Sequence, residues 1–168
     1  GENWFYQHYN VWENDKLQQF FPARSIDARA RRRQMSAEDD FNHKRVAEHL
    51  KQIDDAGGLV TMGAHGQLQG LGAHWEMWAL THGGMEPHRA LRAATLNGAE
   101  YLGMESDLGS IEAGKLADIA ILDRNPLDAI ENSDSVSLTV INGTVYDANS
   151  MHQLWPQQVE RGKFYFEN

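Results

Sequence analysis

The run Val60-Thr61-Met62-Gly63-Ala64-His65-Gly66-Gln67, continued by Gly70-Leu71-Gly72-Ala73-His74-Trp75-Glu76, constrains this chain more than any other segment. A short apolar stretch stops at glycines, and two histidines and a carboxylate follow within eleven positions, from His65 to Glu76. Leu59 to Met62 therefore read as a wholly apolar strand, covered on both faces as in a parallel sheet. Parallel sheets carry polar side chains at the carboxyl ends of their strands, and α/β proteins place their chemistry on that rim. His65 falls at such an end.

The surrounding segments fit an α/β arrangement. Residues 1 to about 35 are aromatic and arginine-rich with weak periodicity, which predicts a long loop carrying one or two short helices, one at Asn14 to Phe20. Ser36 is placed to cap a helix in which Val46, Leu50 and Ile53 recur at helical spacing, stopped by Ala56-Gly57-Gly58. A second helix is expected from His74 to His82, broken by Gly83-Gly84. Pro87 suits the first turn of a third, with Ala90, Leu91, Ala94 and Thr95 as a narrow packing stripe. Asn97 to Leu102 form a short helix ended by Gly103. Beyond Gly109 the pattern turns to strands: Ile119 to Leu122 as a buried type, then Val136 to Ile141, the hairpin signal Asn142-Gly143, and Thr144 to Tyr146. The tail from Met151 reads as a surface segment without an element of its own. Three units result: 1–108, 109–150 and 151–168.

Composition narrows the partners. The formal charge of -9 disfavours nucleic acid or an anionic membrane surface. One basic cluster, Arg29 with Arg31 to Arg33, is followed at once by Glu38, Asp39 and Asp40 and reads as a self-neutralising surface. The absence of cysteine removes disulfides, zinc-thiolate sites and a thiol nucleophile, and leaves the compartment open. No apolar run approaches the ~18 residues of a membrane span. The abrupt aromatic start, without an initiator methionine, looks cut from something longer.

Among candidate site residues, His65 can ligate a metal, accept a proton from water or orient a carbonyl, or it can do no more than hydrogen-bond its own loop. His74 and Glu76 stand two apart, about 200° around a helix, so they share a face only if His74 precedes the helix proper. Otherwise each is a capping or exposed residue. His82 and His88 flank the Gly83-Gly84 break and read as surface residues, and His8, His43, His49 and His152 have no partner at ligand spacing. The aromatic opening Trp4, Phe5, Tyr6, Tyr9 and Trp12 suits a core more than a pocket.

Five motifs then occur in order: Pro87-His88-Arg89-Ala90-Leu91-Arg92-Ala93-Ala94-Thr95, Asn97-Gly98-Ala99, Leu102-Gly103, the string Gly109 to Asp118, and Ile121-Leu122-Asp123 with Asn125-Pro126-Leu127 and Val140-Ile141-Asn142-Gly143. Together they resemble the end of metal-dependent amidohydrolases of the imidazolonepropionase-like and prolidase-like branch, over about residues 44 to 147. The aromatic opening, the Gly-Ala-His-Gly-Gln loop and the Phe-Tyr-Phe-Glu ending resemble amidohydrolases fused to TolB-like propellers. The resemblance implies a (β/α)8 barrel plus a small β-sandwich built from both chain ends, with Leu59 to Gly63 as the eighth barrel strand. Lys115 and Asp118 become structural residues of the crossing between the two units. A divalent metal, in this family commonly zinc, is implied for the complete enzyme.

Two departures stand out. The family's eighth strand usually ends in a metal-binding aspartate, and here that position is His65. The early-strand His-x-His pair, the bridging Lys or Glu and the middle-strand histidines have no counterpart in this chain. A barrel needs roughly 250 residues, so the barrel is expected to be incomplete here and the chain alone to hold little metal.

Two functions are therefore weighed. In the first, this is the C-terminal part of a metal-dependent hydrolase of C–N bonds in amides, cyclic amides or dipeptides. A metal-bound hydroxide would attack the carbonyl, His65 would serve as catalytic residue and metal ligand, and Gln67, His74 and Glu76 would contact a small-molecule substrate. In the second, the chain is a non-catalytic α+β module that dimerises or pairs with an N-terminal partner segment through uncovered edges and apolar faces.

Overall fold

The computed structural model describes residues 2–31, 35–65, 68 and 70–167, apart from the side chain of Arg29. Short helices form the first part: α1 (Glu2–His8), α2 (Asp15–Phe20) and α3 (Ala23–Ala30), with a 3-10 turn at Val11–Glu13. This opening is more helical than its weak periodicity predicts. Side-chain caps supply the missing signal: Asn10 accepts from the Trp12 backbone N–H, and Asn14 accepts from that of Leu17 to open α2. Within the basic cluster, Arg31 pairs with Asp27 at 3.4 Å, while Arg32 and Arg33 lie outside the described residues.

Helix α4 (His43–Asp55) starts later than Ser36 predicts, because a separate 3-10 turn at Glu38–Asp40 takes up the acidic residues. Its expected apolar stripe is largely uncovered: Val46 is 56% and Ile53 49% exposed, and α4 buries His43 and Ala47 instead. Helix α5 (Leu71–His82) is the hub. It buries Leu71, Trp75, Met77, Trp78 and Leu80 around most of its circumference, the pattern of a helix enclosed by neighbours rather than lying on a surface. Phe5 stacks on Trp75 with centroids 5.2 Å apart, and the core continues through Tyr6, Val11, Leu17 and Ile26. At its end, α5 approaches α4 so closely that a Cβ on Gly83 would sit 2.2 Å from the Ala47 carbonyl carbon. Helices α6 (Pro87–Ala93, Pro87 in its first turn) and α7 (Leu96–Leu102, closed by Gly103 at φ 69°) follow as expected.

Residues 59–62 belong to no strand. A parallel strand needs neighbours along its edges, and none of the described residues supplies one. Leu59 is 47% exposed while Val60 is buried, so the segment has one covered side rather than two.

The second part is an open antiparallel sheet in the order β1 (Ile119–Leu122), β2 (Val136–Ile141), β3 (Thr144–Asp147) and β4 (Gln153–Trp155). Asn142 (φ 46°) and Gly143 (φ 79°) make the two-residue turn between β2 and β3. The Asn142 backbone N–H donates to Asp118 Oδ1 at 2.6 Å, which gives Asp118 a structural role. Lys115 donates to Ser110 Oγ and pairs with Glu112 at 3.2 Å. Two expectations change here. The tail contributes a strand, because β3 offers β4 an open edge; beyond β4, Arg161 pins the rest of the tail by pairing with Glu167 at 2.5 Å. And β1 is not buried: Ile121 is 42% exposed, since no layer covers that face among the described residues. The molecule is α/β with an open sheet; no barrel closes among the described residues.

Candidate active site

Helix α5 divides the candidate residues between two clefts. Glu76 faces the first. Both its carboxylate oxygens accept from the Gly63 backbone N–H, at 3.0 and 3.1 Å, so the carboxylate holds the end of the segment that leads to His65. His65 itself sits at φ 51°, a left-handed conformation uncommon for a residue with a Cβ, and its side chain is exposed. A cleft of about 470 Å³ is lined by Thr61, His65, Glu76, His43, Val46 and Trp75. His65 and Glu76 are thus brought to one place.

His74 is not. It lies inside α5, and the two-residue offset points it away from Glu76, into a second cleft. Its Nδ1 is 3.1 Å from Ser133 Oγ, and the same hydroxyl oxygen accepts from Trp78 Nε1 at 2.9 Å. The indole can only donate, so the buried Ser133 hydroxyl accepts from it and can give its own proton to His74 Nδ1, in which arrangement the imidazole carries its proton on Nε2. Burial holds His74 below the usual histidine pKa, and it is neutral at pH 7. Gln67 lies outside the described residues.

A third histidine arrangement was invisible in the spacing. His43 Nε2 lies 3.2 Å from His82 Nδ1, across 39 residues. Trp4 packs edge-on against His82 at 4.7 Å and stacks on His8 at 4.1 Å, while His8 pairs with Glu38 at 2.7 Å. His43 and His82 are therefore partners between α4 and α5 rather than unpaired or surface residues. Burial, then His82, push the His43 pKa down to about 4; burial also lowers that of His82.

Asn97 was also missed as a functional support. Buried in α7, it donates to the Val60 carbonyl at 2.8 Å and accepts from Arg92 Nε at 2.9 Å. It ties the family-like Asn-Gly-Ala motif to the segment carrying His65. A polar residue at the start of a short helix between Ala-rich stretches was its one signal in the sequence.

Among the described residues no three His, Asp or Glu side chains converge as metal ligands. His65 and Glu76 alone do not amount to a metal site, so the residues present do not fit the metal that the resemblance implies. Nor is any helix of the described residues long and apolar enough to cross a membrane.

Comparison with known proteins places this architecture. Residues 37–146 match the model of the amidohydrolase family. The imidazolonepropionase of Symbiobacterium thermophilum is 54% identical over 44 residues, which cover 26% of this chain and 10% of that protein. A 5-methylthioadenosine/S-adenosylhomocysteine deaminase of Teredinibacter turnerae is 35% identical over 75 residues, 45% of this chain and 17% of the relative. The chain thus spans less than a fifth of the length of these relatives. A solved Xaa-Pro dipeptidase with methionine bound in its active site superposes with a TM-score of 0.57 at 24% identity, over 87% of this chain and 32% of that one, a likeness of fold. A molinate hydrolase superposes at 0.51 with 30% identity, over 61% of this chain and 26% of that one. With its Pro87-to-Asp118 motifs, its α5 hub and the shared fold, the chain belongs to the amidohydrolase family.

Proposed function

We propose that this chain is the C-terminal share of a hydrolase that cleaves C–N bonds in small amides, cyclic amides or dipeptides, with the barrel and sandwich completed by polypeptide beyond it. The observation that carries this is the convergence of His65 and Glu76 on one cleft, within a family match that includes the segment bearing them. Glu76 positions: its carboxylate holds the Gly63 N–H and so the turn that presents His65. His65, exposed at the cleft, is the residue assigned to the reacting centre, where an imidazole nitrogen can accept a proton from water; a divalent metal would need its ligands from polypeptide beyond this chain. Gln67 is assigned to the substrate side; His74 faces the other side of α5 and carries no role in this reading. In the whole protein, His65→Ala is expected to lower kcat by about 100-fold or more; an unchanged kcat on a dipeptide and acyl-amino-acid panel overturns the assignment. The isolated chain, supplied with zinc, is expected to turn over none of that panel, and brisk turnover would refute the incomplete site.

A second reading, an association module, rests on the uncovered Val46 and Ile53 of α4 and on the exposed Ile121 and Trp155 of the sheet. Sedimentation of the chain separates the two pictures: a strict monomer argues against association.

A further inference from the structure

The second cleft, on the His74 side of α5, has the makings of a separate ligand site. Its volume is about 510 Å³, within the ~300–1,000 Å³ of small-molecule pockets. Its walls come from α2, the start of β2 and the tail: Leu17, Phe20 and Phe164 make them apolar. The tail wall is fixed in place. Arg161 binds Glu167 through both guanidinium nitrogens, at 2.5 and 2.7 Å, and lies 4.4 Å from the Phe164 ring and 5.8 Å from that of Phe20.

Four polar side chains line this apolar space: His74, Lys16, Asp134 and Asn14, the last already donating to Tyr9 Oη and accepting from the Leu17 N–H. Ser133 engages His74 Nδ1, which leaves Nε2 as the ring's remaining polar atom toward the cleft. Lys16 donates to the Val136 carbonyl, and an ammonium carries two further protons. Asp134 is bound to Arg124 at 3.0 Å, and that pair balances its own charge. What is left over is one positive charge and one imidazole nitrogen, facing rings and aliphatic carbons.

We propose that this cleft binds a small monocarboxylate with an apolar or aromatic body, its carboxylate held by Lys16 and the His74 Nε2–H and its body against Phe20 and Phe164. Charge-assisted hydrogen bonds to a carboxylate are strong where the surroundings are apolar. The site lies on the opposite side of α5 from His65 and Glu76, so it stands apart from the catalytic reading above.

Calorimetric titration of the chain with 3-phenylpropanoate, 3-phenylpropanamide and 3-phenylpropylamine tests it. Saturable one-site binding of the acid is expected, at least tenfold weaker for the amide and weaker still for the amine. Lys16→Met is expected to remove most of the acid's advantage, Phe164→Ala to weaken acid and amide alike, and Val46→Ser, in the first cleft, to change neither. Equal affinity for acid and amide overturns the proposal, as does the absence of saturable binding or an acid affinity indifferent to Lys16→Met. Should Lys16→Met unfold the chain, the acid–amide comparison on the unaltered protein decides. Turnover enters none of these readouts, so their failure leaves the hydrolase reading untouched.

Discussion

The two sides of helix α5 carry residues only two positions apart and treat them in opposite ways. Glu76 stays partly exposed and spends its carboxylate on one loop N–H, beside the exposed His65. His74 is largely buried, its Nδ1 bound to the Ser133 hydroxyl that Trp78 also binds. One side is held by a few exposed contacts and the apposition of α4; the other by hydrogen bonds that run from His74 at a cleft to the buried Ser133 and Trp78. Helical phase alone makes this difference, and it teaches that neighbouring polar residues on a hub helix need not belong to one site.

The largest blow to the first side without a direct change to the second is Gly83→Ala. The added Cβ would collide with the Ala47 backbone, which cannot give as a flexible side chain can. A loss of about 3 kcal/mol or more in urea unfolding is expected, and near-native stability would show that α4 is not fixed by this contact. Acid is the next lever. His43, at the first cleft, has a folded pKa of about 4 against about 6.5 unfolded. The unfolded chain therefore takes up its proton first, and the stability contributed by neutral His43 is full above pH 6.5 and lost as pH falls toward 4. The loss is of the order of 3 kcal/mol at its limit, and His43→Gln should flatten the decline in melting temperature across that window. A decline as steep in His43→Gln as in the parent chain would assign it to His74 and His82 instead.

On the second side, Ser133→Ala strands the buried Trp78 N–H and frees His74 Nδ1. A cost of about 1–3 kcal/mol is expected, with a change in the imidazole nitrogen shifts by NMR while the exchange of the Gly63 amide stays as it was. Smallest of all, Glu76→Gln keeps an acceptor for Gly63 and should cost under about 0.5 kcal/mol, read as faster exchange of that amide alone. If Glu76→Gln disturbed His74, the two clefts would be coupled after all.

What could be read from the sequence divides along the range of the interaction. Pro87, Gly103 and Asn142-Gly143 placed their helix start, helix end and turn correctly, because each acts through its own backbone angles. The ordered motifs from Pro87 onward carried the family. By contrast, the helical opening depended on caps inside a weak pattern, and β4 on an edge offered by β3. The His43–His82 pair, the Asn97 tie to Val60 and the Ser133 bond to His74 join residues 37 to 59 positions apart, with no local spacing to announce them.

The sequence by itself determined the helix stops, the hairpin, the family and the presence of His65 after a glycine-flanked apolar run, since these rest on local conformational preference and motif order. Only the tertiary structure decided that 59–62 joins no strand among the described residues, that α4 leaves its stripe largely uncovered, and that His74 parts from Glu76. Pairing, burial and the facing of a helix are set by which distant segments come to lie alongside, and no single stretch of chain contains that information.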